Sequence, residues 1–493
     1  MLLLCAACGR ARDDAPEVNG SAGGWTDEPD GAPGTHWLAL LNENVELIRF
    51  DDDSPPRHVI VAPLLPGDVS AAFSDDGKEL SYAQQGELHV VSAPDGSASS
   101  RSWLVDPYSP KLTWLGNSAI VAVPSYPRGA QLIHTDQDAV QDLGAASSLQ
   151  VSANQSALVL SDADERFVYL DSTSAPARTD PMPVGSVARL SDDGRAVAIF
   201  SQREIPASTF PVPTRRIQWT PPTLPACTSQ AIPPFTPCPA PPKYSVGSVA
   251  WPSADAPMIA EFQSQSDPVL DQLAMTLVTI DPGDGALDVT NVYFRIAYRN
   301  WGVDRDGHSF LVANGDDTTM PWWVAVRSAS NWQYVHFSGV NGFALYAALS
   351  GDQRALLVAS FVKSTGTSTL YSVPYPPVDG ATPSALFTSD QSIGALLPRP
   401  GGAQFLLGAG DVTFAQSCPD PTTSDCDSLV YWLSDGQSPA QPLPAGLENP
   451  QWTPDGAGIV ANLADGRVVY LNAAAPGQPK TLGHGRFVLP NHW

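Results

Sequence analysis

A short motif recurs along the chain, and it restricts the fold more than any other feature of the sequence. In the stretch 73–82, Phe73 stands four residues before Gly77, and Leu80 and Tyr82 follow three and five residues after it. An Asp-Gly pair between alternating apolar residues predicts an antiparallel hairpin, because Gly adopts the positive φ that a two-residue turn demands. We therefore expect two β-strands joined by a tight turn at each copy.

The motif has close copies and weaker copies. The other close copies begin at Leu190, Val303 and Trp452, and the weaker ones, which lack Asp-Gly, begin at Trp114, Val151, Trp251, Leu349 and Leu397. The copies lie about 40 to 60 residues apart, which is the period of propeller blades. Two more strand-like runs follow a copy, so that one unit has about four strands. Such a unit cannot bury both of its faces alone, and it must pack against its neighbours.

The repeat resembles the TolB-type, WD-like β-propeller repeat, whose signature is an apolar residue, then Ser, Pro or Asp, then Asp-Gly and an apolar strand. The resemblance extends over most of residues 36–493, and four copies are close to the signature. It implies an all-β chain of four-stranded blades around an axis. It implies a fold more than an activity, because relatives include periplasmic or surface binding modules and propeller domains attached to peptidases.

The number of blades stays open at this point, at about eight to ten. Nine copies of the motif, together with the strand-like segment 36–50, make ten units. The segment 36–50 has no first strand before it, whereas the chain end 486–493 has the form of a first strand with nothing after it. We expect these two segments to share one blade and close a single ring. Two smaller propellers are the alternative.

The N-terminus resembles the end of a bacterial lipoprotein signal. Ala6 and Ala7 precede Cys8, and Gly9 follows it, although the usual positive n-region is missing. We expect lipidation at Cys8, with residues 1–8 as a signal remnant.

The remaining chain then divides into a tether and a propeller. Residues 9–34 are rich in Gly, Asp, Pro and Ala, which is typical of a flexible tether. Residues 35–493 form the predicted propeller, with a Pro-rich insertion at 201–245. This organisation predicts a location in the cell envelope, as an outer-membrane lipoprotein or as a periplasmic or extracellular protein. Membrane contact is expected only through the lipid anchor, since no later stretch is long and apolar enough to span a bilayer.

Four further cysteines fall into two local pairs, Cys227 with Cys238 and Cys418 with Cys426. Each pair lies in a Pro-rich and Thr-rich segment without a nearby His, which favours disulfides over a zinc site. Local pairing is the natural choice among the three possible connectivities. Disulfides also agree with export, because they form in oxidising compartments.

Several long connections are predicted to lie on one rim of the ring. The motif turn joins strands one and two of a unit, so the connection between strands two and three lies on the opposite rim. Long connections of this second kind span 201–245, 263–273, 314–321, 362–368 and 411–427. For each long connection, the alternative is a surface insertion that the fold tolerates without any function. Because all of these connections are expected on the same rim, we favour a role of that rim in recognising a partner.

Three aromatic residues are candidates for contacts on that rim: Trp322, Trp323 and Phe235. Trp322 and Trp323 are adjacent, so in a strand one of them must point into the packing between blades. The alternative interpretation is that both Trp residues only stabilise the fold. The Pro-rich stretch 221–242 either docks a partner or spans the rim.

Composition and motifs favour a binding module. The net charge of −25 argues against nucleic acid as a partner, because such binding depends on clustered Lys and Arg. The stretch from Asp304 imitates the start of an EF-hand loop, but the twelfth position is Gly315 where that loop needs Glu, so we expect no metal. The sequence contains no esterase elbow, zincin, Walker or dinucleotide motif, and we assign no catalytic residue and no cofactor.

The sequence thus predicts an exported, lipid-anchored, monomeric propeller that binds an envelope or extracellular protein, or a glycan, as a non-catalytic scaffold. The alternative is a secreted propeller enzyme of hydrolase or lyase type. Its site would lie at the central channel, where residues from several blades meet without forming a linear motif. A structural protein without a ligand is a third interpretation.

Overall fold

The structure, a computed structural model, describes residues 36–490 apart from short internal stretches and the longer segments 219–243, 265–273, 281–286, 294–300, 314–321 and 411–428. In this part of the chain 38 β-strands form, and no helix is present. The predicted all-β class is therefore confirmed. Among these residues no helix exists that could cross a membrane.

The strands form nine sheets that make up ten consecutive blades, because the seven-stranded sheet contains two of them. The first five blades comprise the following strands: blade one, β1 (His36–Leu41), β2 (Asn44–Phe50) and β3 (Arg57–Pro63); blade two, β4 (Ser70–Phe73), β5 (Glu79–Gln84), β6 (Glu87–Ser92) and β7 (Ala98–Leu104); blade three, β8 (Lys111–Leu115), β9 (Ala119–Val123), β10 (Gly129–His134) and the first half of β11 (Ala139–Val151); blade four, the second half of β11, β12 (Ala157–Asp162), β13 (Phe167–Asp171) and β14 (Ala177–Arg178); blade five, β15 (Val187–Leu190), β16 (Val197–Ser201) and β17 (Thr214–Gln218).

The other five blades each have four strands. They comprise, for blade six, β18 (Tyr244–Ala250), β19 (Met258–Ser264), β20 (Ala274–Ile280) and β21 (Leu287–Tyr293); blade seven, β22 (Trp301–Val303), β23 (Ser309–Ala313), β24 (Trp323–Ser328) and β25 (Asn331–His336); blade eight, β26 (Phe343–Leu349), β27 (Ala355–Val362), β28 (Thr367–Pro374) and β29 (Ser384–Ser389); blade nine, β30 (Ser392–Pro398), β31 (Phe405–Gly410), β32 (Val430–Ser434) and β33 (Gln441–Pro442); blade ten, β34 (Leu447–Trp452), β35 (Gly458–Leu463), β36 (Arg467–Asn472) and β37 (Lys480–His484); the last strand is β38 (Arg486–Val488).

The two ends of the described chain share blade one, as expected. Strand β38 pairs with β1 in antiparallel register, with Leu40 opposite Phe487. It supplies the first strand that the N-terminal segment lacks. The side chain of Lys480 contacts the carbonyl oxygens of Asp51 and Ser54, which fastens blade ten to blade one.

Apolar clusters between neighbouring blades form the core. They run from blade seven through blades eight, nine and ten to blade one, and on through blades two, three, four and five to blade six, so the ten blades form one continuous series. First strands of neighbouring blades contact one another, for example β38 with β4, β4 with β8, and β26 with β30. The first strands therefore occupy the inner position around the channel.

All nine copies of the motif lie between the first and second strands of a blade, as the sequence predicts. We call the rim that carries these turns the motif rim, and the opposite rim, which carries the connections between strands two and three, the loop rim. The turn is longer than the expected two-residue hairpin. In blade two, the N–H of Ser74 donates to the carbonyl of Glu79, so six residues form the turn.

One strand belongs to two blades. The first half of β11 pairs with β10 of blade three, and its second half pairs with β12 of blade four. The strand changes direction near Gly144, whose φ of 83° is in the left-handed region. The N–H of Gly144 donates to Asp142 Oδ1 over 2.8 Å, which fixes this bend.

Blade five departs from the regular pattern. Its strands β15 and β16 are antiparallel, but β17 runs parallel to β16. The chain must therefore return to the motif rim between Ser201 and Thr214 before β17 begins. The segment 201–245, expected as a Pro-rich insertion, contains this strand, and its Pro-rich part at 219–243 lies outside the described residues.

Candidate functional site

Five of the nine motif turns are built around a buried hydroxyl. In blade two the hydroxyl of Ser74 donates to Asp76 Oδ1 over 2.9 Å, and its oxygen accepts from the N–H of Glu79 over 3.0 Å. The N–H of Gly77 donates to the carbonyl of Ser74, and Gly77 has a φ of 68°. The hydroxyl residue plays the same accepting role in other copies, at Ser152, Ser191, Ser350 and Thr453. The Asp of the motif thus holds its own turn, as expected for a turn Asp.

Neighbouring turns bind one another around the motif rim. The N–H of Asp75 donates to the carbonyl of Gly116 over 3.3 Å, and the N–H of Gly116 donates to the carbonyl of Gln155 over 2.9 Å. Farther round, the N–H of Asp192 donates to the carbonyl of Trp251 over 2.8 Å. These backbone bonds hold the inner ends of adjacent blades at fixed positions.

A pocket opens where four inner strands meet at the motif rim. It has a volume of about 340 Å³, which is in the range of small-molecule sites. Strands β4, β8, β11 and β38 or their ends supply the lining residues: Ala71, Ala72, Phe73, Leu112, Thr113, Trp114, Val151, Ser152, Ala153, Gln155, Val488 and Leu489. We call it the channel-mouth pocket. Since β38 closes blade one, the pocket depends on closure of the ring.

The lining of the channel-mouth pocket is uncharged. The described residues that form it carry no carboxyl, imidazole, amine, guanidine or thiol group. Trp114 is 1% exposed, and its indole N–H donates to the carbonyl of Ala72 over 3.0 Å and lies 2.9 Å from Ser81 Oγ. These contacts hold the indole of Trp114 in one position, where it forms part of the pocket wall. Such a lining suits binding by contact and hydrogen bonding.

Gln155 adds an amide to this wall. Its φ is 51°, in the left-handed region, and its N–H donates to the carbonyl of Ser152 over 3.0 Å. Its side-chain oxygen, Oε1, is buried and accepts no hydrogen bond among the described residues.

Glu79 and Asp193, two of the carboxylates near the motif turns, have pKa values shifted in opposite directions. Burial raises the pKa of Glu79, and the negative charge of Asp76 raises it further. Burial also acts to raise the pKa of Asp193, but hydrogen bonds from Ser191, Arg195 and Ala254 outweigh it and hold this pKa below its usual range. Neither carboxylate lines the pocket.

A second polar cluster lies in blade seven. Asp304 is 5% exposed, its Oδ1 accepts from the N–H of His308 over 2.8 Å, and its Oδ2 lies 3.1 Å from His308 Nδ1. The hydroxyl of Tyr375, from blade eight, donates to the same Oδ2. The cluster ties two blades together. Across the part of the chain that the structure describes, no three His, Cys, Asp or Glu side chains group as metal ligands would.

The residues proposed for the loop rim have different outcomes. Trp322 is fully buried against Phe337 and Tyr371 in the core between blades seven and eight, so it is not an exposed rim residue, and that prediction is wrong. The physical reason is strand alternation, which turns one of two adjacent side chains into the blade packing. Trp323 is partly exposed at the start of β24 and packs against Tyr334.

Other predicted site residues lie outside the described residues: Cys8, Cys227, Phe235, Cys238, Cys418 and Cys426. One predicted long connection is a short turn instead. Between β27 and β28 the N–H of Gly366 donates to the carbonyl of Val362 over 2.9 Å, which closes a tight hairpin. The connections 263–273, 314–321 and 411–427 do join second and third strands, as expected.

Sequence reasoning missed the channel-mouth pocket. Its residues come from segments around 72, 113, 153 and 488, which are far apart in the chain.

No family model matches this chain. A search of curated proteins finds no match either. Among solved structures, a eukaryotic initiation factor is 9% identical with a TM-score of 0.48, and the match covers 94% of this chain and 99% of that one. The tricorn protease is 10% identical with a TM-score of 0.36, over 90% of this chain and 38% of that one. An oligogalacturonate lyase from Vibrio parahaemolyticus is 10% identical with a TM-score of 0.38, over 87% and 94%.

Proposed function

We propose that this protein is a non-catalytic binding module of the bacterial cell envelope, and that the channel-mouth pocket is its ligand site. The observation that carries the proposal is the convergence of four inner strands on an uncharged pocket of about 340 Å³. A ring whose blades are hydrogen-bonded turn to turn gives such a site a fixed shape, and a preformed site loses little entropy on binding.

The lining of the pocket favours binding over catalysis. General acid–base catalysis needs a titratable group within hydrogen-bond reach of the reacting atoms. Phe, Trp, Leu, Val, Ala, Thr, Ser and Gln supply contacts and neutral hydrogen bonds instead. The alternative, a secreted hydrolase or lyase, has its best support in the Asp304–His308 pair, which belongs to blade seven, whereas the pocket belongs to blades one to four.

The envelope location is part of the proposal and is supported by the sequence. The TolB-type repeat, the Ala-Ala-Cys-Gly stretch at Cys8 and the two cysteine pairs agree with an exported lipoprotein that has disulfides. In the native host, replacing Cys8 with Ser should abolish incorporation of labelled palmitate and release the protein from membranes. Unchanged incorporation would remove the lipid anchor from the proposal.

The loop rim is a second surface for a protein or glycan partner. The segment 219–243 leaves from the end of β17 and returns at the start of β18, and the segment 411–429 joins β31 to β32, so both begin and end at the loop rim. A partner held there would leave the channel-mouth pocket, on the motif rim, open.

Cross-linking and capture from native envelope membranes tests both surfaces. We would compare the intact protein, a variant lacking 221–242 and 415–427, and Ala153→Trp, which places a large side chain at an exposed position of the pocket. Loss of a partner in Ala153→Trp alone supports the channel mouth, and loss in the deletion variant alone moves the site to the loop rim. Capture of the same proteins by all three, or of none, would refute binding at either surface.

A further inference from the structure

We propose that three side chains at the loop rim of blade seven, Trp323, Tyr334 and His336, form a binding site for one neutral pyranose unit of a glycan. We call these three side chains the aromatic patch. This inference rests on the proposed function, because it names a ligand class for the loop rim, the second surface of that proposal. The channel-mouth pocket, on the motif rim, has no part in it.

The register of the two outer strands of blade seven brings the three rings together. Trp323 begins β24 at the loop rim and lies directly opposite His336, which ends β25, and Tyr334 lies opposite Ala325. Since alternate residues of a strand share a face, the three rings lie on the same face of the blade. The ring centroid of Trp323 is 5.4 Å from that of Tyr334 and 6.3 Å from that of His336. The indole therefore stands beside both of the other rings.

The aromatic patch lies at the surface, whereas the opposite face of the same strands belongs to the core. Val324 and Val335, which point the other way, are fully buried between blades seven and eight. Tyr334 is 53% exposed, His336 is exposed and Trp323 is partly exposed. A side chain that keeps half of its surface in water adds little apolar burial to the fold. Recognition of a ligand explains three surface rings in contact better, because aromatic side chains are enriched at recognition sites.

The chain around the outer strand β25 is free of strongly charged residues. The segment 331–351 contains no Asp, Glu, Lys or Arg, although the whole chain has 51 Asp and Glu residues. Its exposed residues besides the patch include Gln333, Ser338 and Asn341. A phosphate or carboxylate would find no Lys or Arg in this segment, and a basic peptide would find no carboxylate there. These surroundings favour a neutral polar ligand.

A pyranose matches the chemistry of the aromatic patch. The C–H groups of a sugar ring form an apolar face that packs against the electron-rich face of an aromatic ring. Sugar hydroxyls donate and accept hydrogen bonds, and so do the Tyr334 hydroxyl and the neutral imidazole of His336. The size also agrees with one sugar unit, since a standard protein interface covers about 800 Å² on each partner. Three side chains provide far less than that.

Methyl β-D-glucopyranoside and methyl β-D-glucuronide provide a direct test. Every ring substituent of the glucoside is equatorial, so both of its faces consist of C–H groups, and the glucuronide differs only by a carboxylate at C6. Saturation-transfer NMR with the whole protein would give their dissociation constants. We expect wild type to bind the glucoside more tightly than the glucuronide. Tyr334→Ala should weaken glucoside binding about two- to tenfold, the range for one aromatic contact, and Tyr334→Phe should lose less because the ring remains.

The matched control is Leu104→Ala in blade two. Leu104 ends the outer strand β7 at the loop rim, as His336 ends β25, and it is 77% exposed. This variant should bind the glucoside like wild type, and so should Ala153→Trp, since its substitution lies on the motif rim.

Absence of glucoside binding, equal binding of the glucuronide, or unchanged binding by Tyr334→Ala would overturn the inference. Loss of glucoside binding in Ala153→Trp would also overturn it, because the sugar would then occupy the channel-mouth pocket. The capture experiment reports on native partners and uses no glycoside, so it decides the proposed function separately.

Discussion

The phenol of Tyr375 in blade eight donates a hydrogen bond of 3.1 Å to Oδ2 of Asp304 in blade seven. Asp304 stands where other copies of the motif carry a buried hydroxyl, at Ser74, Ser152, Ser191, Ser350 and Thr453. The carboxylate replaces that hydroxyl inside the turn and has an additional oxygen that faces the next blade. The Asp at this position of the motif, in place of Ser or Thr, thus accepts a hydrogen bond that joins blade seven to blade eight.

We expect Tyr375→Phe to lower the free energy of unfolding by about 1.5 to 3 kcal/mol, because a buried carboxylate loses a donor. Urea denaturation would measure the loss. In an Asp304→Ser background, which restores the hydroxyl of the other copies, the same change should cost much less. An equal cost in both backgrounds would show that Tyr375 stabilises the protein by packing alone.

Trp114 and Trp251 form a matched pair for measuring the indole hydrogen bond. Both stand at the first position of the motif and are 1% exposed, but Trp251 Nε1 has no hydrogen-bond partner among the described residues. Substitution with Phe removes a similar volume at each site. We expect Trp114→Phe to cost about 1 kcal/mol more than Trp251→Phe in thermal or urea unfolding, because only Trp114→Phe removes an indole hydrogen bond, the one that the N–H donates to the carbonyl of Ala72. Equal costs would assign the effect to packing.

Replacing Glu79 with Gln should stabilise the protein at neutral pH. The folded pKa of Glu79 is raised above its ordinary value of 4.5 by burial and by Asp76, so the stability that this group contributes is full below pH 4.5 and is lost as pH rises through the folded pKa. We expect the Tm of Glu79→Gln to exceed that of wild type by about 1 to 3 °C at pH 7. The difference should shrink towards pH 4, and a constant difference across this range would contradict the assignment.

Phe487 tests how much the shared blade contributes. It is 7% exposed, lies opposite Leu40 on β1 and packs in the cluster between blades ten and one. Phe487→Ala should lower the free energy of unfolding by about 3 to 5 kcal/mol, through loss of buried surface and the cavity that remains. Phe487→Leu should recover most of this loss. If Phe487→Ala unfolds like wild type, the ring does not depend on β38 for its stability.

Much of the fold could be predicted from local chemistry. The turns at Gly77, Gly194 and Gly456 need a residue that tolerates positive φ, and the sequence shows Gly there. Every copy of the motif consequently marks the turn between a first and a second strand. The shared terminal blade followed from a missing first strand at one end and an unpaired strand at the other.

Features that depend on contacts between distant segments could not be predicted in this way. The parallel pairing of β17 with β16 reverses the path of the chain in blade five, and nothing in the local pattern around Thr214 signals this reversal. Trp322 belongs to the core because of the strand register, although its neighbour Trp323 has the same side chain. The channel-mouth pocket combines single strands from four blades, and a linear motif cannot encode such a site.

The continuous strand β11 has a mechanical consequence. Blades three and four are joined by one uninterrupted strand. The first half of β11 is the outer strand of blade three, and its second half is the inner strand of blade four. When a pulling force is applied along the chain, detaching β11 from one of these blades also breaks its hydrogen bonds in the other blade. Blades three and four should therefore unfold together in a single event. The length of chain released in that event should be longer than the length released when one separate blade unfolds.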